Sequence, residues 1–439
     1  QTVFNADFKR IESNIANVAA ILPPSVKLPE QVLKIGNFNF TGIFNGKYND
    51  FKSKFALITD AGKVNADIET KFNPEIHRLT YKGNVQGDNV QLGILTNKPE
   101  LLGSAKFDIT LNGQGMKLQD INSHVKGNVQ GIEFKGYQYK NIELNGDIIS
   151  KEFNGSIAIN DPNAQLDLKG TISMKDSIPD FKLIANVRKV NFQELKLMNK
   201  PWVVKSLINV NFKGKNLDNL IGEINLDNFE LVDLTNYRTY NIEFLSLNSE
   251  IVGKNRSIIL YSDIANLELN GNFKFKDLPI IANNYFLSYF NSKNQAEKLE
   301  QAANFTFDIS LENTKKIIPL FLPDFKDIDQ ASISGNFNSA SRAMNIKGKF
   351  SKLTYGNFMI PAIQLAANSN SSTFNFNVKA DSLFKKDSLF LTPILLAGHY
   401  KDNNLRFNVK VNNESNPTRL NLMADLKGIE KGFQFHATS

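Results

Sequence analysis

The chain has no cysteine, which excludes disulfides, thiolate metal sites and thiol nucleophiles together. It has one tryptophan, Trp202, and four histidines, His77, His124, His399 and His436, scattered without a partner at metal-ligand spacing. These read as strand-face histidines. No stretch approaches about 18 consecutive apolar residues, and the opening Gln1-Thr-Val-Phe lacks the basic and apolar regions of a secretion signal. The expectation is a soluble chain or a piece of something anchored elsewhere. There is no G-x-S-x-G elbow, Walker A loop, H-E-x-x-H or calcium loop. Gly113-Gln-Gly115 lacks a third glycine and a following helix, so it reads as a turn rather than a phosphate cradle. Carboxylates fall singly along solvent faces, so no glycosidase-like acid pair stands out. The net charge of +7 comes without the dense basic cluster that nucleic acid needs. No catalytic residue, metal, cofactor or nucleic-acid partner is expected, and the chain reads as a non-enzyme.

What the chain does have is length, phenylalanine and alternation. Its 439 residues are 41% hydrophobic and 22% charged, too apolar for disorder yet lean for one large compact core. A thin or extended body fits better. Phenylalanine numbers 34, and most of it alternates with polar residues.

Phe8, Ile11, Ile15, Val18, Ala19 and Leu22 fall at helical spacing, with Asn5 or Asp7 to cap and Pro23-Pro24 to stop, so residues 1–22 read as an amphipathic helix. From Val32 the period changes to two. Clear strands include segments 51–57, 105–111, 153–159, 181–187, 305–311, 374–378 and 405–411, each largely apolar on one face. Turn signals are Asn45-Gly46, Ala61-Gly62, Gly87-Asp88, Asn112-Gly113, Asn145-Gly146, Asp161-Pro162-Asn163, Asn270-Gly271 and Asp402-Asn403-Asn404. Links this short favour antiparallel meanders over crossovers. Pro279 to Ala303 reads as one helix or two, and Thr314 to Leu322 as a short helical turn. A break from Asn191 to Pro201 is the best internal boundary, giving segments 1–22, 23–190, 191–330 and 331–439, the last three pieces of one architecture.

Strands with one apolar face need a cover, since leaving one Leu or Phe exposed forgoes about 1.5 to 3 kcal/mol. Three or four helices cannot cover roughly 25 to 30 strands of ordinary length. The remaining options are a sandwich, a closed barrel, a β-solenoid, or a curled sheet partly filled by ligand. No fixed period supports the solenoid. At about 4.8 Å per strand, an open curled meander would extend about 120 to 145 Å.

The order of segments resembles the TamB-like members of the AsmA superfamily, the inner-membrane subunit of the translocation and assembly module in its Bacteroidetes form. The likeness covers most of the chain through strand-and-turn patterns: Gly36-Asn-Phe-Asn-Phe-Thr-Gly42, Gln91-Leu-Gly-Ile-Leu95, Leu111-Asn-Gly-Gln-Gly115, Gly136-Tyr-Gln-Tyr-Lys-Asn-Ile-Glu-Leu-Asn-Gly146, Phe153-Asn-Gly-Ser-Ile-Ala-Ile-Asn-Asp-Pro-Asn163 and Leu168-Lys-Gly170. Asn270-Gly-Asn-Phe-Lys-Phe-Lys-Asp-Leu-Pro279 and Ile318-Pro-Leu-Phe-Leu-Pro-Asp324 continue it. The resemblance implies an all-β fold with a few short helices, an elongated, curled antiparallel sheet forming an apolar groove, or β-taco. It further implies a periplasmic location, an inner-membrane anchor outside this chain, a BamA-like outer-membrane barrel partner, and roles in phospholipid movement and outer-membrane assembly. It supplies no catalytic positions.

The leading expectation is thus a periplasmic groove that shields phospholipid acyl chains. Its lining candidates are Phe51, Phe55 and Leu57; Phe107, Ile109 and Leu111; Phe153, Ile157 and Ile159; Phe305, Phe307 and Ile309; and Leu405, Phe407 and Val409. One alternative is a scaffold or chaperone for outer-membrane proteins acting by β-augmentation. Another is an adhesin, which the lone Trp202 disfavours.

Overall fold

The computed structural model describes residues 2–22, 28, 30–115, 117, 119–287, 302–386, 388–413, 416–429 and 432–438. Among them are 27 strands of one sheet and five short α-helices, and every strand pair given by register is antiparallel. This is the all-β class expected from the alternation. The chain divides into two compact units, residues 1–211 with 230–239, and residues 212–229 with 240–439.

In the first unit the strands are β1 (Val3–Asn14), β2 (Asn37–Lys47), β3 (Asp50–Thr59), β4 (Gly62–Asn73), β5 (Arg78–Gln91), β6 (Leu102–Gln114), β7 (Asn122–Phe134), β8 (Tyr137–Ile149), β9 (Glu152–Asn160), β10 (Ala164–Ser173) and β11 (Asp180–Asn191). Each pairs with the next in sequence, an open meander. Helices α1 (Ile15–Ile21), α2 (Glu30–Leu33) and α3 (Leu92–Thr96) sit at one end of these strands. β12 (Trp202–Lys213), β13 (Ile221–Asp233) and β14 (Arg238–Val252) carry the sequence boundaries between units.

The second unit continues with β15 (Asn255–Ser262), β16 (Ala265–Asn272), α4 (Leu278–Leu287), β17 (Asn304–Leu311), α5 (Ile318–Phe321), β18 (Phe325–Asn338), β19 (Ala343–Tyr355), β20 (Phe358–Ser369) and β21 (Phe374–Ala380). Then come β22 (Leu383–Lys385), β23 (Ser388–Leu391), β24 (Ile394–Lys401), β25 (Asn404–Asn413), β26 (Asn416–Ile429) and β27 (Gly432–Thr438). The ladder branches at β20. One end of that strand pairs with β21, which passes the ladder on to β24, while the other pairs with the small β22–β23 hairpin.

Two sequence expectations are corrected. The helix over 1–22 is strand β1 followed by α1 alone. Phe4, Ala6 and Phe8 also alternate with period two, and the ladder with β2 takes them opposite Gly46, Phe44 and Gly42. The helix starts only at Asn14, whose Oδ1 accepts from Ala16 N at 2.9 Å. Pro23-Pro24 lies outside the described residues. Of the helix expected over 279–303, α4 is described through Leu287 and residues 288–301 lie outside the description. The short helical turn at 314–322 is present as a 3-10 turn, Thr314–Lys316, and α5.

The second correction concerns the turns. Asp161-Pro162-Asn163 and Asp402-Asn403 do connect strands, and the turn before Gly62 is Asp60-Ala61. Asn45-Gly46, Gly87-Asp88, Asn112-Gly113, Asn145-Gly146 and Asn270-Gly271 instead lie inside strands. Gly113-Gln114 closes β6 rather than forming a turn.

These glycines have a structural task. A Cβ at Gly83 would lie 2.1 Å from the Asp67 carbonyl oxygen and 2.7 Å from Ile68 Cα, and one at Gly127 would lie 2.2 Å from the Asp108 carbonyl oxygen and 2.7 Å from Ile109 Cα. A side chain at either position would overlap the neighbouring backbone, so only glycine fits there, a use of glycine where another backbone approaches closely. At Gly170 the same crowding, 2.1 Å to the Lys182 carbonyl oxygen, coincides with a φ of +146°.

Gly170→Val is therefore expected to destabilise the first unit by about 2–3 kcal/mol. Gly131→Ala, whose Cβ is crowded by the movable Gln138 amide and otherwise meets the Tyr139 carbonyl oxygen at an ordinary 3.8 Å, is expected to stay within about 0.5 kcal/mol of the parent. Urea unfolding followed by Trp202 fluorescence checks both.

Candidate functional site

In an antiparallel ladder, residues directly opposite each other share a face. Following the register from strand to strand therefore traces rows across each unit. In the first unit one row reads Phe8, Gly42, Phe55, Ala66, Val85, Ile109, Gly127, Leu144, Ile157, Leu168 and Ala185. Every position is apolar or glycine. Beside it runs Phe40, Leu57, Val64, Gly87, Phe107, Val129, Ile142, Ile159, Leu166 and Val187. A third row takes in Phe44, Ile68, Gly83, Leu111, Val125, Gly146, Gly155, Gly170 and Leu183, with Ser53 its one polar member. A fourth carries Phe51, Phe153 and Phe181.

The nine lining candidates of this unit thus share one face. The other face is polar: Lys54, Asp67, Asn84, Thr110, Lys126, Asn145, Ser156 and Lys169 form one row of it. Cross-strand ion pairs lie there, among them Lys71–Asp50 at 3.7 Å, Lys54–Asp67 at 3.8 Å, Lys52–Glu69 and Arg188–Asp167. Being exposed, such pairs add at most about 1 kcal/mol each, so they mark the solvent side more than they hold the sheet.

The second unit repeats the pattern. Ile258, Leu269, Phe307, Gly335, Ile346, Ala367, Phe376, Gly398, Phe407 and Ala424 form one row. Leu260, Leu267, Ile309, Ile333, Gly348, Leu365, Val378, Leu396, Val409 and Leu422 form the next. A third holds Phe305, Phe337, Met344, Phe374, Tyr400, Leu405 and Leu426.

All fifteen candidates are half-buried, neither enclosed nor bare. Several rings lie down over glycines of the adjoining strand. A Cβ at Gly87 would meet the Phe107 ring at 2.5 Å, one at Gly335 the Phe307 ring at 2.9 Å, and one at Gly398 the Phe376 ring at 2.1 Å. A phenyl laid on glycine covers backbone without standing up from the sheet. At the β1–β3 side, Phe8, Phe40, Phe44, Phe51 and Phe55 form an aromatic cluster with ring centroids 5.6 to 6.2 Å apart.

The rows of the second unit are not open throughout. Helix α4 is seated on the first and third rows, where Ile281 packs with Ile258, Leu269, Phe273, Ala303 and Phe337. The Tyr285 ring stands 5.4 Å from that of Phe337 and also packs against Tyr400. Phe305 and Phe307 belong to the cluster beneath α4, and Leu405 packs on Tyr400. Ordinary packing accounts for a share of the burial of these three candidates.

Sequence reading missed two buried polar nodes. Asp161, 1% exposed, accepts from the Tyr137 hydroxyl at 2.6 Å, from Lys140 N at 3.0 Å and from Asn163 N at 2.8 Å. Asp-Pro-Asn signals the turn, but nothing local signals the tyrosine. Arg256, 4% exposed, donates to the carbonyl oxygens of Leu217 and Leu220 and lies over the Phe275 ring. Burial depresses its pKa while Asp218 opposes that shift. Both nodes are closed by partners and structural in character.

Among the described residues no group of three acidic or histidine side chains is placed to hold a metal. His124 and Asp147 meet at 2.8 Å on the exposed face. A hollow of about 610 Å³ lined by Asn128, Glu143, Asn160, Asp167 and Arg188 is open to solvent. No described helix is long and apolar enough to cross a membrane. What the apolar face offers is binding of extended apolar chains. Comparison with family models, curated proteins and solved structures finds no match.

Asp161→Ala is expected to cost about 2–3 kcal/mol by stranding three donors. Burial, then the bond to Asp161, raises the Tyr137 phenol above its ordinary pKa. Its contribution is present below about pH 10 and lost as pH rises through the raised value. Tyr137→Phe should therefore show a shallower fall in urea midpoint above pH 10 than the parent.

Proposed function

We propose that the chain is a conduit for lipid acyl chains, which lie along the apolar face while their headgroups remain in water. The observation that carries this reading is the continuity of the rows on one face: the first is apolar or glycine at every position from β1 to β11, the two beside it depart from that only at Ser53, and most of the side chains are half-buried. Ten strand steps of about 4.8 Å give a track of about 48 Å within the first unit alone. A half-buried Leu or Phe forgoes a share of the ~1.5 to 3 kcal/mol that full burial supplies, and an acyl chain laid along the row recovers it repeatedly without any directional bond. Such a face suits a long flexible apolar cargo better than a ligand that needs oriented polar contacts.

The resemblance to TamB-like proteins supports the same reading and names its setting. Phospholipid would move through the periplasm, between an inner-membrane anchor lying outside this chain and a BamA-like barrel in the outer membrane. Outer-membrane biogenesis would depend on that flow. No reaction is required of the chain.

The test places photo-crosslinking residues at Phe107 and Ile157, with Lys126 on the polar face as control, and analyses the extracted protein by native mass spectrometry. The expected outcome is co-purified phospholipid with lipid adducts at Phe107 and Ile157 and none at Lys126. Protein free of lipid, crosslinking only to protein at both positions, would end the proposal. Leu144→Asp, in the middle of a row, should reduce co-purified lipid while leaving Trp202 fluorescence native.

A further inference from the structure

We infer that the polar face of the second unit, across β19, β20 and β21, holds a binding site for a soluble ligand that carries several phosphate groups. The site lies on the face opposite the acyl-chain rows, so it goes beyond the conduit and does not rest on it.

Register builds the site. In one polar row Ser334 faces Lys347, Lys347 faces Ala366 and Ala366 faces Asn377. In the next row Ser332 faces Lys349, Lys349 faces Gln364 and Gln364 faces Lys379, and the row runs on through Leu395 to Lys410. Ala366 carries only a methyl group among longer neighbours. Around it opens a hollow of about 480 Å³ whose lining includes Lys347, Lys349 and Lys379 and no carboxylate. The three lysines, Gln364 and Asn377 are all exposed. With Lys410 they come from three strands between residues 347 and 410, so no local basic cluster announces them in the sequence.

These charges are not met from within the chain. Elsewhere on the polar faces lysine and arginine take cross-strand partners, as in Lys54–Asp67, Lys52–Glu69 and Arg406–Asp425. Among the described residues, Lys347, Lys349, Lys379 and Lys410 have no carboxylate within ion-pair distance. The nearest by register are Asp308, two strands from Lys347, and Asp381, two residues along the chain from Lys379. Asp425 is held by Arg406 and Asn404, while Asp327 and Asp329 share Lys352. Setting Asp308, Asp381 and the one net negative charge of the Lys352 trio against the four lysines still leaves the lysines in excess. Glu268 stands one strand beyond Asp308, and Glu312 follows the end of β17.

The donors indicate the ligand. Lysine holds phosphate as a point charge, and the amides of Gln364 and Asn377 with the hydroxyls of Ser332 and Ser334 add donors for its oxygens. Lys349 and Lys379 stand two strand steps apart, about 10 Å, and Lys410 two steps further. Phosphates in series meet such a row better than a single one does.

Titration calorimetry of the full chain with sodium tripolyphosphate at low salt tests this. One binding site is expected, with inorganic phosphate at least about tenfold weaker and affinity falling as salt rises. K347Q with K349Q and K379Q should raise the tripolyphosphate Kd at least about tenfold, with circular dichroism unchanged. K54Q with K126Q and K169Q, which removes the same charge from the polar face of the first unit, should leave that Kd within about twofold and so separates a site from net charge. Leu144→Asp should not alter it, so the conduit and this site fail separately. No binding of tripolyphosphate, or equal losses in the two triple variants, overturns the inference. Binding to phosphatidylglycerol vesicles without binding to tripolyphosphate also overturns it, by assigning the lysines to lipid headgroups.

Discussion

Strand register is the constraint on which the structure depends. Side chains alternate faces with period two, so a slip of one residue between any two neighbouring strands would carry the apolar set of one of them to the solvent side. Over the eleven strands of the first ladder the register instead keeps Phe55, Ile109, Leu144, Ile157 and Leu168 in one line. Where the ladder is irregular, as between Gly87 and Val90, it resumes in phase, with Val90 opposite Ala105 and Ala105 opposite Ile132. The apolar face follows from many correct pairings, each individually weak.

Glycine and phenylalanine shape that face together. Glycine placed in the apolar phase lets the neighbouring backbone come closer than a Cβ would allow. Phenylalanine then lies over the glycine, as Phe107 does over Gly87, and shields the backbone that glycine leaves bare. The result is a face that is greasy and low in relief. In the second unit α4 fills part of it with ordinary packing around Ile281 and Tyr285, so the two units present their apolar faces differently.

Much of the fold was legible because alternation is a local signal. Segments such as Phe153 to Ile159 and Phe305 to Leu311 read as strands and are strands. The mid-strand glycines were misread because Asn-Gly is also the strongest short hairpin signal. The corrective signal was present in phase: Gly146 continues the parity of Ile142, Leu144 and Ile148, whereas a turn glycine would break it. β1 was ambiguous for a physical reason, since its apolar residues satisfy both periods and only pairing with β2 decides. The candidate face was readable as a set of strand faces. That α4 would settle on Phe337, or that Tyr137 would reach Asp161, depends on contacts far apart in sequence that no local pattern encodes.

The central claim is that the apolar rows form a surface left open to an apolar guest instead of an interlocked interior. The natural absence of cysteine makes it directly measurable, because a single introduced cysteine can be spin-labelled without background. Labels at Phe55, Ile109 and Ile157, compared with Lys54, Thr110 and Ser156 on the opposite face, would be read in lipid-loaded protein for collision with oxygen and with a water-soluble nickel reagent. The account predicts row positions accessible to oxygen and shielded from nickel, with the reverse on the polar face. Row positions immobile and inaccessible to both reagents would contradict it.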